Sequence, residues 1–259
     1  MIKTKVSIIM PAYNVADFIA ESINSVLAQS FIEWELLIID DCSSDTTVKV
    51  ITPFLSDLRI KLIKNQKNLG GAGSRNVGIK EANGRYIAFL DSDDLWTESK
   101  LEKQISFMEH RSIGFSFAAH TTIDEQGSVL EKVDVPKRVS FKGLLKHNYI
   151  GCLTAIYDTK PYGKIYLPLV KKRQDFALWL ELLKKFDNAY AMNESLGFYR
   201  IRPGSLSRNK VDAFKYYWLV LRDVGGCSFL FASFNILCYL GIVFIKKKNV
   251  KIYNKYFIG

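Results

Sequence analysis

Histidine and cysteine are scarce in this 259-residue sequence, and neither is arranged as a metal or disulfide framework. The four cysteines form no Cys-x-x-Cys pair, which fits a reducing compartment better than a disulfide scaffold. The three histidines, His110, His120 and His147, lack the spacing that metal ligands usually have. We therefore interpret them as structural or surface residues.

Signatures of several other protein classes are absent as well. No Gly-Lys-Ser or Gly-Lys-Thr triplet occurs, so no P-loop is expected. No internal repeat or low-complexity tract is present. The first five residues lead directly into an apolar strand, so we expect no signal peptide.

Positive charge is unevenly distributed along the chain. The sequence is 48% apolar, enough for one large domain or a domain with an appendage, and its formal net charge is +10. Residues 210–259 hold 8 Lys and Arg against 2 Asp, which accounts for +6 of that charge. This asymmetry indicates an anionic partner at the carboxyl-terminal end, either a membrane surface or a nucleic acid.

Short apolar runs alternate with helix-like segments through the first 95 residues. We predict strands at 6–10, 34–39, 60–63 and 86–90, the first of them stopped by Pro11. Helices are predicted between them, at 15–27, 46–55 and 70–82. This alternation predicts a doubly wound, mostly parallel α/β sheet.

The second half of the sequence is less regular. Helices are predicted at 98–110 and 174–186, and a strand near 113–118. The order of elements within 128–170 does not follow from the sequence.

Three carboxylates, Asp91, Asp93 and Asp94, follow the strand at 86–90. On an extended chain residues two apart point the same way, so Asp91 and Asp93 are expected to face one spot. Close carboxylates repel unless a proton or cation lies between them, and their oxygens suit Mg²⁺ or Mn²⁺. We therefore predict a metal site at this end of the sheet, where open α/β folds bind ligands. An acidic loop that caps the next helix is the alternative.

Other polar side chains follow the first two predicted strands: Pro11 and Tyr13 after one, Asp40 and Asp41 after the other. In a parallel sheet these positions lie along the same edge as the acidic cluster. An exposed tyrosine there can stack on a base, and a carboxylate can accept a hydrogen bond from a base or ribose. The alternative is ordinary loop packing for Tyr13 and helix capping for the two aspartates.

A glycine-rich segment, 70–73, opens the third predicted helix, with Arg75 shortly after it. Bare amides at a helix amino terminus attract phosphate, and Arg75 adds a forked cation. The segment is not a dinucleotide fingerprint, because Asn76 stands where the third glycine belongs. A tight entry into the helix is the alternative.

Four segments taken together resemble the family 2 glycosyltransferases, inverting enzymes of the GT-A fold. They are 6–14, Asp40-Asp41-x-Ser43-Ser44-Asp45, Gly73-Ser74-Arg75-Asn76-x-Gly78-Ile79 and Phe89-Leu90-Asp91-Ser92-Asp93-Asp94. The resemblance covers residues 3–205 in order. It implies a GT-A catalytic domain over 1–209, with a nucleotide-binding half (1–95) and an acceptor half (96–209). A basic, apolar helical extension that associates with a membrane follows at 210–259.

The resemblance also implies a site for a UDP-sugar donor. Its nucleotide-contacting residues would be Pro11, Tyr13, Asp41, Arg75, Asp91, Ser92 and Arg202. Pro11 and Tyr13 would flank the uracil, Asp41 would hydrogen-bond it, and Arg75 would approach the diphosphate. Asp93 is the expected ligand of Mn²⁺ or Mg²⁺, with Asp91 as the second carboxylate, nearer the ribose; Asp94 stays open as a ligand in place of Asp93. The cation would neutralise the departing UDP.

An inverting enzyme of this kind needs a base for the acceptor hydroxyl. The family usually presents Glu-Asp at the start of a helix in its second half, and this sequence has Gln174-Asp175. We assign Asp175 as the base; an ordinary charge at a helix amino terminus is the alternative. Residues 199–207 resemble the loop that closes over the donor phosphates, with Arg202 where His is common. A solvated basic loop is the alternative.

No charge occurs in residues 224–245, and three lysines follow at 246–248. The run is long enough to span a bilayer, but a UDP-sugar enzyme belongs in the cytoplasm and a single span would place the lysines outside. We expect one or two helices in the interface, with lysines on anionic headgroups, on the cytoplasmic face of the inner membrane. A spanning helix, and a helix packed on the catalytic domain or on a partner subunit, are the alternatives.

The sequence thus predicts an inverting, metal-assisted hexosyltransferase that uses a UDP-sugar and a lipid-linked or surface-polysaccharide acceptor. Gln174 motivates a first alternative, a nucleotide-sugar-binding protein without transferase activity. A nucleic-acid-binding protein is the second, but the basic residues border an apolar run and do not alternate with exposed aromatics. We therefore expect no nucleic-acid partner.

Overall fold

Ten strands form one sheet in the computed structural model, which describes residues 4–202 and 210–258. In chain order they are β1 Val6–Ala12, β2 Trp34–Asp40, β3 Ile60–Lys64, β4 Tyr86–Phe89, β5 Leu95–Trp96, β6 Phe115–Ile123, β7 Val129–Val133, β8 Arg138–Ser140, β9 Ile156–Asp158 and β10 Asn188–Arg200.

Helices cover both faces of this sheet and form the end of the chain. They are α1 Ile19–Leu27, α2 Thr47–Ile51, α3 Gly70–Glu81, α4 Lys100–His110, α5 Phe141–Lys146, α6 Gln174–Leu183, α7 Lys210–Leu219, α8 Phe229–Lys248 and α9 Val250–Tyr253. The predicted helix at 46–55 is divided into α2 and a 3₁₀ turn, Thr52–Ser56, because Pro53 enters the first positions of that turn.

The strand order is β3-β2-β1-β4-β9-β6-β10-β5, with β7 on β6 and β8 on β10. The first four strands are parallel, as the sequence predicts, and the α/β fold is confirmed. In the second half only β6 and β10 are parallel, while β9, β5, β7 and β8 pair antiparallel. The parallel arrangement therefore does not extend through the whole described sheet. Strands β6 and β7 are joined by a short turn, and a parallel pair needs a long crossover.

Strand β1 runs through Pro11 to Ala12 and does not stop at the proline. The carbonyl of Ile9 accepts a hydrogen bond from Leu90 N on the β4 side. Pro11, two residues later, faces the same side, where β4 has already ended at Phe89. The missing N–H of Pro11 therefore breaks no ladder hydrogen bond, and β1 continues through the proline to the edge at which the parallel strands end.

Two apolar layers lie on opposite sides of the sheet, because neighbouring residues of a strand point to opposite faces. Ile8 and Met10 of β1 pack on the side of α1 and α4. Ile9 packs on the other side, with α3 and α6. There Trp179 of α6 lies at ring distances of 5.7 Å from Phe89 and 5.5 Å from Phe115. The sheet is therefore held between two helical layers that leave its strand ends free.

Residues 210–258 share the second of these layers. Tyr217 is fully buried, stacks on Phe176 of α6 at 4.8 Å and donates a hydrogen bond to the Leu145 carbonyl at 2.9 Å. Ala232 and Ile236 of α8 are buried in the same cluster. One side of the extension thus packs on the rest of the protein. The predicted boundary at 209/210 stays a prediction, because residues 203–209 lie outside the described part.

The opposite face of α8 is uncovered. It carries a stripe of exposed side chains at Leu230, Phe234, Leu237 and Phe244, of which Leu230 is 80% exposed. Within the described residues α8 is the one helix long and apolar enough to cross a membrane, a weak indication by itself. Because α8 is apolar on both faces, its sequence alone does not tell which face packs on the protein.

We expect Gly78→Ala to lower the free energy of unfolding. A Cβ at Gly78 would lie 2.7 Å from side-chain carbons of Ile9 and Ile39, so α3 would have to move away from the sheet. Overpacking of this kind costs about 1–3 kcal/mol. Denaturant unfolding of the full chain measures the change.

Gly241→Ala on α8 is the matched control, since a Cβ there meets nothing within 4 Å. In a helix this change stabilises by about 0.5–1 kcal/mol. Equal shifts in both variants would contradict the close contact at Gly78.

Candidate active site

A cavity of about 700 Å³ opens at the ends of β1 and β4. Its wall contains seven of the nine predicted site residues: Pro11, Arg75, Asp91, Ser92, Asp93, Asp175 and Arg202. Tyr13 and Asp41 do not line it. The edge at which parallel strands end thus brings sequence-distant residues together, as the sequence predicts.

The acidic segment after β4 is a turn and not an extended chain, because the amide of Asp94 donates to the carbonyl of Asp91 at 3.1 Å. The expectation of an extended chain at this place, on which residues two apart would face one spot, is therefore wrong. The chain must turn here because β5 starts at Leu95 and pairs antiparallel with β10. Asp91 and Asp93 nevertheless both line the cavity, and Asp94 is buried.

Arg200 holds this turn in place. It is only 3% exposed, and its Nε donates to the carbonyl of Asp93 at 2.9 Å while its backbone amide donates to Asp94 Oδ1 at 2.9 Å. Its other nitrogens donate to Glu21 Oε2 at 2.6 Å and to the Glu125 carbonyl at 2.8 Å. From the sequence, Arg200 falls in the predicted loop 199–207, but the structure places it at the end of β10. Nothing in the sequence shows that this strand end lies beside the turn.

Two further arginines pair with the carboxylates of the turn. Arg75 donates to Asp91 Oδ1, and Arg202 Nη2 lies 2.6 Å from Asp93 Oδ2. Burial and the charge of Asp91 raise the pKa of Asp93, while Arg202 opposes that rise. Burial and the charges of Asp91 and Asp93 raise the pKa of Asp94 well above its usual range. The site therefore keeps carboxylates and guanidinium groups packed together at its centre.

The donor set of the turn suits a hard divalent cation. Mg²⁺ is usually bound by one or two carboxylates together with waters and substrate phosphates, and not by a closed protein cage. Asp91 and Asp93 supply two carboxylates on the cavity wall. No cluster of three or more acidic, His or Cys ligands occurs in the described ranges 4–202 and 210–258. The residues therefore fit a cation whose shell is completed by phosphate oxygens.

The loops after β1 and β2 are fastened to each other. Asn14 is in the left-handed conformation at φ +48°. Its side-chain oxygen accepts a hydrogen bond from Ser44 N at 2.8 Å, and its backbone amide donates to Ser43 Oγ at 3.0 Å. Tyr13, 54% exposed, projects beside this junction. Sequence reasoning did not single out Asn14. The hydrogen bonds of Asn14 hold the rim of the site, which carries Tyr13, in a fixed shape.

Asp41 is buried and already makes hydrogen bonds within the protein. Its carboxylate accepts from Asn65 Nδ2, Leu69 N and Gly70 N, each at 2.8 Å. These contacts fix the entry to α3, where Gly70 has a φ of +71° that favours glycine. The structure thus shows Asp41 supporting the helix that carries Arg75, and its contact with a uracil stays a prediction.

Asp175 lies in the first turn of α6, on the cavity wall. Burial raises its pKa, while a hydrogen bond from Phe176 N and the charges of Arg75 and Arg173 oppose the rise. Asn148 Nδ2 is 3.5 Å from Asp175 Oδ2. A carboxylate with a raised pKa holds an abstracted proton more strongly than an ordinary one. The geometry is compatible with a general base, which stays a prediction.

Several cavity residues were not anticipated from the sequence. His120 and His147 line it, although we interpreted all three histidines as structural or surface residues, and burial together with the charge of Lys246 lowers the pKa of both to about 4. Lys246 and Tyr253 of the carboxyl-terminal extension also form part of the wall. Of the predicted loop at 199–207, residues 203–207 lie outside the described part of the chain.

Known proteins resemble this chain over most of its length. The family model for Glycosyl transferase family 2 matches residues 7–158, more than half of the chain. The putative teichuronic acid biosynthesis glycosyltransferase TuaG of Bacillus subtilis (strain 168) is 42% identical over 239 residues, which cover 92% of this chain and 95% of TuaG. The UDP-Glc:alpha-D-GlcNAc-diphosphoundecaprenol beta-1,3-glucosyltransferase WfgD of Escherichia coli is 44% identical over 222 residues, covering 84% of this chain and 85% of WfgD.

Among solved structures, S. aureus TarS 1–349 in complex with UDP-GlcNAc has a TM-score of 0.72 at 20% identity. The match covers 96% of this chain and 76% of the TarS chain. At this identity the likeness establishes the GT-A-like fold. The family match and the two close relatives confirm the resemblance that the sequence motifs carry. The chain belongs to glycosyl transferase family 2.

Proposed function

We propose that this glycosyltransferase moves a hexose from a UDP-sugar to a lipid-linked acceptor, with inversion at the transferred carbon. The observation that carries the proposal is the single cavity that joins Arg75, Arg202, the acidic turn and Asp175. The name of WfgD, which specifies UDP-Glc and a diphosphoundecaprenol-linked acceptor, supports this donor and acceptor class. The name of TuaG supports a role in surface-polysaccharide synthesis.

The donor half of the cavity combines cations with carboxylates. Arg75 and Arg202 are placed to exchange their carboxylate partners for the oxygens of a diphosphate, since guanidinium binds both in the same forked manner. Asp93, with Asp91 beside it, would hold Mn²⁺ or Mg²⁺, and the cation would stabilise negative charge on the departing UDP. Pro11 and Tyr13 would flank the uracil at the rim of the site.

The chemical step needs a proton acceptor on the opposite side of the sugar. The acceptor oxygen forms its bond to the anomeric carbon as the bond to the UDP oxygen breaks, and the electron pair leaves with UDP. Asp175 takes the hydroxyl proton of the acceptor. An in-line displacement of this kind inverts the anomeric configuration once. Gln174, which lies against Gly71 of α3, adds an amide but no second charge at this place.

Calorimetric titration of a panel of UDP-sugars and other nucleotide sugars, with Mn²⁺ and with EDTA, tests the donor assignment. We expect one UDP-sugar to bind with Mn²⁺, and binding to disappear with EDTA or in Asp93→Ala. Asp175→Asn is expected to keep donor binding and to lower kcat by about 10²–10⁴-fold, the usual contribution of a general base.

Asp57→Asn is the matched control, because Asp57 pairs with Arg59 and lies outside the cavity wall. Metal-dependent binding without turnover in the wild type would favour the nucleotide-sugar-binding alternative. Failure of every UDP-sugar to bind would contradict the donor class itself.

The dependence of kcat on pH tests the role of Asp175. Its carboxylate is the working form, so kcat falls as the pH drops through the pKa, which burial places above the ordinary aspartate value of about 3.9. Arg173→Gln removes a positive charge that lowers this pKa. We therefore expect the acidic limb of the profile to move to higher pH in Arg173→Gln.

Arg59→Gln, which removes an equal charge outside the cavity wall, should leave that limb unchanged. A limb that does not move in Arg173→Gln, or that moves to lower pH, would argue against Asp175 as the group that titrates.

We further propose that the uncovered face of α8 lies on the membrane surface, on the cytoplasmic side, where the donor is found. The opposite face of α8 packs on the rest of the protein, which supports a position in the interface over a span surrounded by lipid. Four exposed lysines, at 247, 248, 251 and 255, lie near its carboxyl-terminal end, where they can contact anionic headgroups. A peripheral position in the interface fits both features.

The triple variant Leu230→Glu, Leu237→Glu and Phe244→Glu should lose binding to anionic liposomes in a flotation assay. Burial of each such side chain contributes about 1.5–3 kcal/mol, and the variant removes three. The control carries the same substitution at three exposed apolar residues elsewhere: Leu58, Val129 and Leu169.

Both variants change the net charge equally, so a loss confined to the first one isolates the α8 face. Full binding by the α8 variant, or equal loss in both, would exclude this face as the membrane contact. The full chain is used because truncation at 209 would also remove Tyr217 from the core.

A further inference from the structure

Helix α8 presents two different stripes of side chains. The stripe that packs on the catalytic domain runs through Asn235, Tyr239 and Ile242, at helical spacing. Lys246 is the next member of this stripe, four residues after Ile242. Lys247, immediately after it, is exposed. The first of the three consecutive lysines therefore points toward the cavity, although all three look alike in the sequence.

Lys246 lies in the cavity wall, among aromatic and imidazole groups. Its ammonium group is 5.3 Å from the ring of Tyr253, and its charge lowers the pKa of both His120 and His147. Tyr239 stacks on His147 at a ring distance of 5.8 Å and ties this group to the docked stripe of α8. Among the side chains that the structure describes, no carboxylate forms an ion pair with Lys246. A partly buried ammonium without a counter-ion is a place where an anion gains stabilisation.

The anion that belongs here is distinct from the donor diphosphate. Arg75 and Arg202 hold the acidic turn on the donor side, as described above. Lys171 and Arg173 also line the cavity, just before the helix of Asp175, and neither forms an ion pair with a carboxylate in the part of the chain that the structure describes. Burial raises the pKa of Asp175, and the charges of Arg75, beside the acidic turn, and of Arg173, in this second basic group, both lower it.

The neutral histidines complete the recognition group. With a pKa near 4, His147 is uncharged at neutral pH, and its Nδ1 is buried without a hydrogen-bond partner among the described residues. An uncharged imidazole offers either a donor or an acceptor to a phosphate oxygen or a sugar hydroxyl. The unpaired ring nitrogen of His147 and the unpaired ammonium of Lys246 thus belong to side chains that line the same cavity.

We propose that the carboxyl-terminal extension forms one wall of the acceptor subsite, and that Lys246 there binds the phosphate through which the acceptor sugar is joined to its lipid. This rests on the lipid-linked acceptor of the proposed function and assigns the residue that recognises it. One helix then makes two contacts: its outer stripe lies toward the bilayer, and Lys246 faces the phosphate of the acceptor.

Steady-state transfer in neutral detergent tests the assignment with Lys246→Gln. We expect the KM for a diphosphate-linked lipid acceptor to rise about 10- to 100-fold, the range for loss of one charged hydrogen bond. The KM for the UDP-sugar and the kcat at saturating acceptor should stay within about twofold, since the lost contact is made equally before and during reaction. An alkyl glycoside of the same sugar, without phosphate, should show no difference between the variant and the wild type.

Lys247→Gln is the matched control, with an equal loss of charge on the exposed side of the same helix end. Lys246→Arg should recover most of the affinity for the diphosphate-linked acceptor. Equal rises in KM for Lys246→Gln and Lys247→Gln, or a rise for the phosphate-free glycoside as well, would overturn the assignment. The absence of anionic lipid excludes headgroup binding as the source of the effect.

Failure of the underlying function is a separate result. A wild-type enzyme that transfers no sugar to any acceptor contradicts the proposed function. A wild-type enzyme that is active, with an unchanged KM in Lys246→Gln, contradicts the role of Lys246 alone.

Discussion

Crowding of carboxylates in the turn after β4 is the constraint on which the rest of the site depends. Three aspartates lie within four residues, and burial together with neighbouring carboxylate charge raises the pKa of Asp93 and of Asp94, so cations are needed nearby. Arginines reach them from two distant parts of the chain, α3 and the end of β10. The sheet must therefore curl so that its last long strand returns beside the turn. The mixed pairing of the second half serves this closure, and Arg200, tied also to α1, fixes it.

The sequence predicts the donor half well because its signals are local. Strands β1, β2 and β4 are short, mainly apolar runs buried on both faces and followed by polar residues, so strand ends and site residues are read together. Strand β10 does not have this property. Its register shifts between Met192 and Ser195 and again before Phe198, which breaks the alternation that marks a strand. The roles of Arg200 and of the neighbouring strands could not be found without that pairing.

The part of the cavity wall formed by α8 and the histidines was missed for a second physical reason. A helix that is apolar all round, such as α8, gives no sequence signal for the face that packs on the protein. Lys246 is equivalent to its neighbours until that face is known. His120 and His147 are likewise far apart in sequence, and only the fold brings them to one wall. The local motif at Gln174-Asp175 was readable, because the family resemblance gave a helix start its chemical meaning.

In the proposed arrangement α8 lies between the cavity and the bilayer, so its diameter also sets the distance between them. A helix with its side chains is about 10–12 Å across, so a cavity wall on one side stands about one helix diameter from whatever covers the other. With the outer stripe against a bilayer, the reacting sugar must rise by that distance above the headgroups and no further. In this proposed arrangement, the thickness of one helix would favour short membrane-bound acceptors over the distant end of a long chain.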